Sequence, residues 1–104
     1  MRRIRAFDLK GYHIKVCYRK RVYGNEGDRV YGTCDYEKNL ILIATHSPTT
    51  NEPLTKDMMD HSLEHEKLHF ILFLSNRHDL NEDDDFVDGL AGYHHQAKKS
   101  EVKK

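Results

Sequence analysis

The chain has 104 residues, the length of one domain of ordinary size. Lysine and arginine number 17, as do aspartate and glutamate, so the formal charge is zero, and no apolar run approaches the roughly 20 residues that a membrane span needs. Two cysteines are too few for a disulfide scaffold, and the polar residues 1–5 do not resemble the start of a secretory signal. We therefore expect a cytoplasmic protein with one small core, reduced cysteines and no membrane partner.

The charge is distributed unevenly along the chain. Residues 1–40 have a balance of +5, and residues 41–97 have a balance of −8. Because the basic residues of the first half alternate with apolar ones, as on the solvated face of a sheet, we do not expect nucleic acid as a partner. The lysine-rich residues 98–104 are expected to form a basic, disordered tail.

The first half of the chain has the alternating pattern of β-strands. From Tyr12 to Tyr18, apolar residues recur at every second position, which places them on one face of a strand. A further strand is expected at residues 30–36, and another at Leu40–Ala44, where the continuous apolar run suits burial on both faces. Short polar turns separate these segments. We expect a small antiparallel or mixed sheet of three to four strands.

The second half has the periodicity of helices. Thr55 is the expected N-cap of a helix whose apolar residues recur at spacings of four and seven, and Asn76 is its expected end. A second helix is expected to begin at Asn81, which is also a good N-cap residue. Strands followed by two helices predict a single α+β domain at residues 1–97, with the helices on one face of the sheet.

The sequence HEKLH at residues 65–69 matches the HExxH pattern inside the first predicted helix. His65 and His69 are one helical turn apart on the same face, so both imidazoles can reach one metal ion. Glu66 lies about 100° around the helix, from where it can reach a metal-bound water without being a ligand itself. This set predicts a zinc site with hydrolytic chemistry.

A catalytic zinc normally has three protein ligands and one water, so a third ligand is needed. The metzincin extension is absent, because Leu72 and Ser75 occupy the positions of its glycine and histidine. The acidic start of the second helix offers carboxylates instead. Asp84 and Asp88 are four residues apart and share a face, so either can be the ligand while the other orients a histidine.

The HExxH segment and the sequence NEDDDFVDGLA at residues 81–91 resemble small HExxH metallopeptidase-like proteins of phages and mobile elements. These proteins are related in pattern to the ImmA/IrrE group of zinc peptidases, and the resemblance covers residues 30–97. In that group the third ligand is a carboxylate seven residues before the alanine of an apolar–alanine pair, which Leu90-Ala91 matches. The resemblance implies a minimal zincin in which His65, His69 and Asp84 bind zinc and Glu66 is the catalytic base.

Two functions from different classes are compatible with these residues. The first is zinc-dependent hydrolysis of peptide bonds in a protein or peptide substrate, in the host cell cytoplasm if the protein is phage-encoded. The second is a zinc-containing protein that binds and inhibits a host protein without catalysis, with the acidic second helix as its binding surface. Both require the metal, so the sequence does not separate them.

Overall fold

The computed structural model describes residues 3–99 and, within them, all side chains except those of His78, Asp84, Lys98 and Lys99. In this part of the chain the strands come first and the helices follow, which confirms the α+β fold. The elements are β1 (Ala6–Leu9), β2 (Tyr12–Arg19), β3 (Gly32–Asp35), β4 (Leu40–Ala44), α1 (Lys56–Leu74), α2 (His78–Asn81) and α3 (Asp84–Lys99).

The four strands form one mixed sheet in the order β1-β2-β4-β3. The strand β2 is antiparallel to β1 and parallel to β4, with Val16 opposite Ile41, and β3 is antiparallel to β4. Because β4 inserts between β2 and β3, β3 lies at an edge of the sheet. This edge strand is the one nearest to the HExxH segment of α1.

The core lies between one face of the sheet and α1. Its buried residues are Ile14, Val16, Ile41 and Ile43 from the sheet, Leu54 from the loop before α1, and Met59, Leu63 and Phe70 from α1. The helices cover only this face, so Leu40 and Leu42 on the opposite face of β4 remain half-buried. Our expectation that β4 is buried on both faces is therefore wrong.

The predicted ends of the first helix are confirmed. The Thr55 hydroxyl accepts a hydrogen bond of 3.2 Å from the Met58 backbone N–H, as an N-cap does. The helix ends at Leu74, and Asn76 follows with a φ of 61°, the left-handed conformation that asparagine adopts more readily than most residues.

The second predicted helix begins later than expected. Asn81 ends the one-turn helix α2 rather than capping α3, and the cap is Asp83, whose Oδ1 accepts from the Phe86 N–H at 3.0 Å. Both residue types cap helices well, and the choice between them is made by tertiary contacts, because the Asn81 side chain is bonded to His69. The helix α3 continues to Lys99, so the first two residues of the predicted tail have helical backbone, and residues 100–104 lie outside the described residues.

The helix α3 packs along α1 and brings its own polar residues towards the HExxH segment. Val87 and Ala91 are fully buried, and His95 Nε2 lies 3.0 Å from Asp57 Oδ1 in the first turn of α1. Asp88 lies between Val87 and Ala91 in the sequence, and the packing of these two residues brings it beside His65. In the described part of the chain, no helix combines the length and the hydropathy that crossing a bilayer would need.

Candidate metal centre

An open cleft of about 680 Å³ lies where α1, α3 and the start of β3 meet. Its walls include His61, His65, Glu66 and His69 from α1, Gly32 from β3 and Asp88 from α3. The predicted histidines and the predicted base thus line the same cleft. The side chain of the predicted ligand Asp84 lies outside the described residues, and only its backbone, at the first position of α3, is placed.

The two histidines of the motif point their Nε2 atoms at each other across 3.1 Å. Their ring centroids are 4.8 Å apart, and the rings are inclined at 65°. Two imidazoles bound to one tetrahedral zinc at ~2.0–2.1 Å hold their nitrogens about 3.3 Å apart. The observed separation is close to that value, so the two side chains fit two of the ligand positions of a zinc ion.

The contacts of the other ring nitrogens bear on which nitrogen carries the proton. His69 Nδ1 lies 2.6 Å from Asn81 Oδ1, and an amide oxygen only accepts, so Nδ1 donates. His65 Nδ1 lies 3.4 Å from Asp88 Oδ1, which is an ion-pair distance without the geometry of a hydrogen bond. In the neutral His69 ring, Nε2 then presents its lone pair to His65 Nε2, and a proton on His65 or a metal ion can lie between the two nitrogens.

Glu66 is buried at the side of the two histidines. The residue is only 7% exposed, and its Oε2 lies 4.0 Å from His65 Nε2. The Cys34 thiol of β3 lies 3.2 Å from Oε1 and 3.3 Å from the Glu66 backbone oxygen, so it donates to this residue. The carboxylate is therefore held in a fixed place, within reach of a ligand or water at the histidine pair.

The strand β3 approaches Glu66 closely because its first residue is glycine. A Cβ on Gly32 would lie 3.1 Å from Glu66 Cγ, 3.2 Å from Oε2 and 3.2 Å from Ile43 Cδ1. Contacts of this length between non-bonded heavy atoms are repulsive when three occur together. The Glu66 carboxylate can therefore lie between α1 and the sheet edge because Gly32 has no side chain.

The groups around Glu66 are protonated over the whole physiological pH range. Burial, followed by the nearby Glu66 carboxylate, raises the pKa of the Cys34 thiol far above its usual value. Burial also raises the pKa of Tyr36, whose hydroxyl interacts with Cys34, to about 12. Both groups are therefore available as hydrogen-bond donors.

Asp88, the alternative third ligand, lies on the far side of His65. Its Oδ1 is next to His65 Nδ1 and 3.8 Å from His61 Nε2, away from the nitrogen that faces His69. This is where a carboxylate that orients a liganding histidine is found. Among the side chains that the structure describes, no group of three histidine, cysteine or acidic residues is arranged to hold a metal ion. Asp84 therefore stays a prediction as the third ligand.

Two histidines of α3 contact α1 beside the cleft. His95 is buried against Asp57 and stacks on His61 at 5.5 Å between ring centroids. His94 Nε2 lies 3.3 Å from Glu64 Oε2, one residue before the motif. These contacts join α1 to α3 at several points beside the cleft.

Three residues around the site were not predicted for the roles that the structure gives them. Gly32 carried a signal, since a glycine inside a strand often marks a close approach of another segment. Cys34 was expected only to be reduced, and Asn81 was expected to cap a helix. Comparison with known proteins adds no assignment, because no protein-family model, no curated protein and no solved structure matches the chain.

Adding a methyl group at Gly32 should destabilise the fold, whereas the same change at Gly89 should not. Gly32→Ala forces Glu66 and Ile43 apart, and we expect a loss of about 1–3 kcal/mol in the free energy of unfolding. Gly89 lies inside α3 with open space at its Cβ position, so Gly89→Ala should gain about 0.5–1 kcal/mol from helix propensity. Urea unfolding measures both, and a Gly32→Ala variant as stable as the parent would contradict the close approach.

Proposed function

We propose that this protein is a zinc-dependent hydrolase of peptide bonds, with His65, His69 and Asp84 as metal ligands and Glu66 as the general base. The observation that carries the proposal is the convergence of two imidazole Nε2 atoms, 3.1 Å apart, beside a buried carboxylate at an open cleft. The sequence resemblance to small HExxH peptidases of phages and mobile elements also supports it. On that resemblance we also propose a cytoplasmic site of action.

Each residue of the chain has a defined task in this proposal. Zinc, when bound, supplies a Lewis acid for the carbonyl oxygen and lowers the pKa of its water. Glu66 accepts a proton from the attacking water and returns it to the nitrogen of the leaving amine, so that its carboxylate is regenerated. Its burial favours this task, because a carboxylate fixed by Cys34 needs little reorganisation before it takes the proton.

The sheet edge beside the cleft offers a way to hold an extended substrate. Among the described strands, β3 pairs with β4 only, and its first residue, Gly32, lines the cleft. Backbone N–H and C=O groups on an open strand edge bind peptides by adding a strand to the sheet. We therefore propose peptides in extended conformation as the substrate class.

The replacement Glu66→Gln should separate zinc binding from catalysis. The amide keeps the shape of the side chain and an oxygen for the Cys34 thiol, but it has lost its basicity. We expect stoichiometric zinc by elemental analysis and a loss of about 100- to 10,000-fold in hydrolysis of a peptide library followed by mass spectrometry. Glu82→Gln, at an exposed position near the site, is the matched control and should cleave like the parent.

Full activity in Glu66→Gln would overturn the proposed base. Zinc binding by the parent protein without cleavage of any peptide is the result expected of the rival function, inhibition of a host protein by binding alone.

Removal of the metal should lower stability, because the ligands come from two helices that zinc would join. At zinc concentrations a hundredfold above Kd, the bound ion adds about 2.7 kcal/mol to the free energy of unfolding. We expect a chelator to lower the melting temperature of the parent by several degrees and to have little effect on His69→Ala. Equal melting curves with and without chelator, together with no zinc in the protein, would show that the site binds no metal.

The third ligand can be identified by comparing two alanine variants. Asp84→Ala should lower zinc affinity far more than Asp88→Ala, because Asp88 lies at His65 Nδ1 and should contribute only the 10- to 100-fold of an orienting residue. Competition with a coloured chelator measures both constants. The reverse order of affinities would assign the ligand to Asp88, one helical turn later.

A further inference from the structure

His69 and Glu66 are each hydrogen-bonded to side chains from other segments. Asn81, at the end of α2, bridges His69 Nδ1 at 2.6 Å and the Tyr36 hydroxyl at 3.1 Å. Tyr36 lies in the turn after β3. At the neighbouring carboxylate, the Cys34 sulfur of β3 is 3.2 Å from Glu66 Oε1.

The chemistry of these groups determines which of them donates. The Glu66 carboxylate can only accept, so the Cys34 thiol donates to it. The Tyr36 oxygen accepts from the Asn81 amide N–H, which leaves the amide oxygen facing His69. An oxygen at that place accepts only from a protonated Nδ1. The orientation of the Asn81 amide thus determines the proton position on His69.

The Tyr36 ring is held by aromatic packing. It stacks on Phe73 at 4.1 Å with an interplanar angle of 5°, and Phe70 meets it edge-on at 5.0 Å. Both phenylalanines belong to α1, the helix that carries the motif. The hydroxyl that accepts from Asn81 is therefore fixed relative to His69.

We propose that Asn81 and Tyr36 are positioning residues that set the His69 tautomer through the hydrogen bonds of the Asn81 amide. The proposal rests on the proposed function only in taking His69 as a zinc ligand. A proton fixed on His69 Nδ1 leaves Nε2 with a lone pair directed at His65 and at the metal. Residues that orient a liganding histidine in this way are worth 10- to 100-fold in metal affinity.

The zinc affinity of three variants tests the hydrogen bond between Asn81 and His69. Asn81→Leu removes the acceptor and should weaken zinc binding 10- to 100-fold. Asn81→Asp keeps an acceptor for Nδ1–H and should bind zinc at least as tightly as the parent, which a merely structural role of the amide would not predict. Glu82 follows Asn81 in the sequence and is exposed. Glu82→Gln should therefore leave the zinc affinity unchanged. Equal affinities of the parent and Asn81→Leu, with folding checked by circular dichroism, would overturn the proposal.

The tautomer itself is measured in the metal-free protein by proton–nitrogen correlation NMR of the imidazoles. Signals of His69 are assigned by their loss in His69→Gln. We expect Nδ1–H in the parent and in Asn81→Asp, and a shift towards Nε2–H in Asn81→Leu. Tyr36→Phe, which keeps the stacked ring, should shift part of the population in the same direction, because the Asn81 amide is then free to turn. An unchanged tautomer in both variants would overturn the proposal.

The two measurements separate this proposal from the proposed function. A parent protein that binds no zinc contradicts the metal site, while the NMR result still decides whether Asn81 and Tyr36 fix the His69 tautomer. A double-mutant cycle between Tyr36→Phe and Asn81→Leu tests whether Tyr36 acts through Asn81. Non-additive effects on the His69 tautomer support that order, and strict additivity would show that Tyr36 acts independently of Asn81.

Discussion

The close approach of α1 to the first residue of β3 is the constraint on which the site depends. Glu66 belongs to the hydrophobic side of α1, where a charged group is costly unless its oxygens are hydrogen-bonded. Gly32 makes the space for the carboxylate, and the Cys34 thiol, two residues later on the same strand, donates to it. Gly32 and Cys34 of one edge strand therefore determine whether the Glu66 carboxylate can be buried at this point of the core.

The same approach fixes the direction of the histidine pair. Because Glu66 faces the sheet, His65 and His69 are turned towards the cleft, where α3 covers one side of them. Helical geometry alone places two histidines at a spacing of four on one face, and it leaves their rotamers free. Asn81 accepts a hydrogen bond from His69 Nδ1 and orients that ring, and the Asp88 carboxylate lies 3.4 Å from His65 Nδ1. The arrangement of the two imidazoles thus depends on α2 and α3 as well as on the motif.

Local signals in the sequence predicted the elements well, and they predicted tertiary contacts poorly. Thr55 and Asn76 were assigned from capping preferences that act within one helical turn, and both assignments are confirmed. Asn81 was assigned as a cap by the same preference. This assignment is wrong, because the Asn81 side-chain oxygen accepts a hydrogen bond from His69 Nδ1 instead. Cys34 lies more than thirty residues before Glu66 in the chain, and no periodicity signals a contact over such a separation. The motif and the helix ends could be predicted, while the hydrogen bonds that orient the motif depend on how the sheet edge meets α1.

The two histidines differ in the groups that hold them, and this difference bears on how each would bind a metal. His69 is oriented by a neutral amide within a partly buried network, whereas His65 faces a carboxylate whose side chain is 68% exposed. A solvated carboxylate at 3.4 Å can move away at little cost, since water replaces the contact. The amide at 2.6 Å is also bonded to the Tyr36 hydroxyl, whose ring stacks on Phe73, so it has little freedom to move. His69 is therefore the fixed point of the pair, and His65 is the residue that adjusts when an ion enters between them.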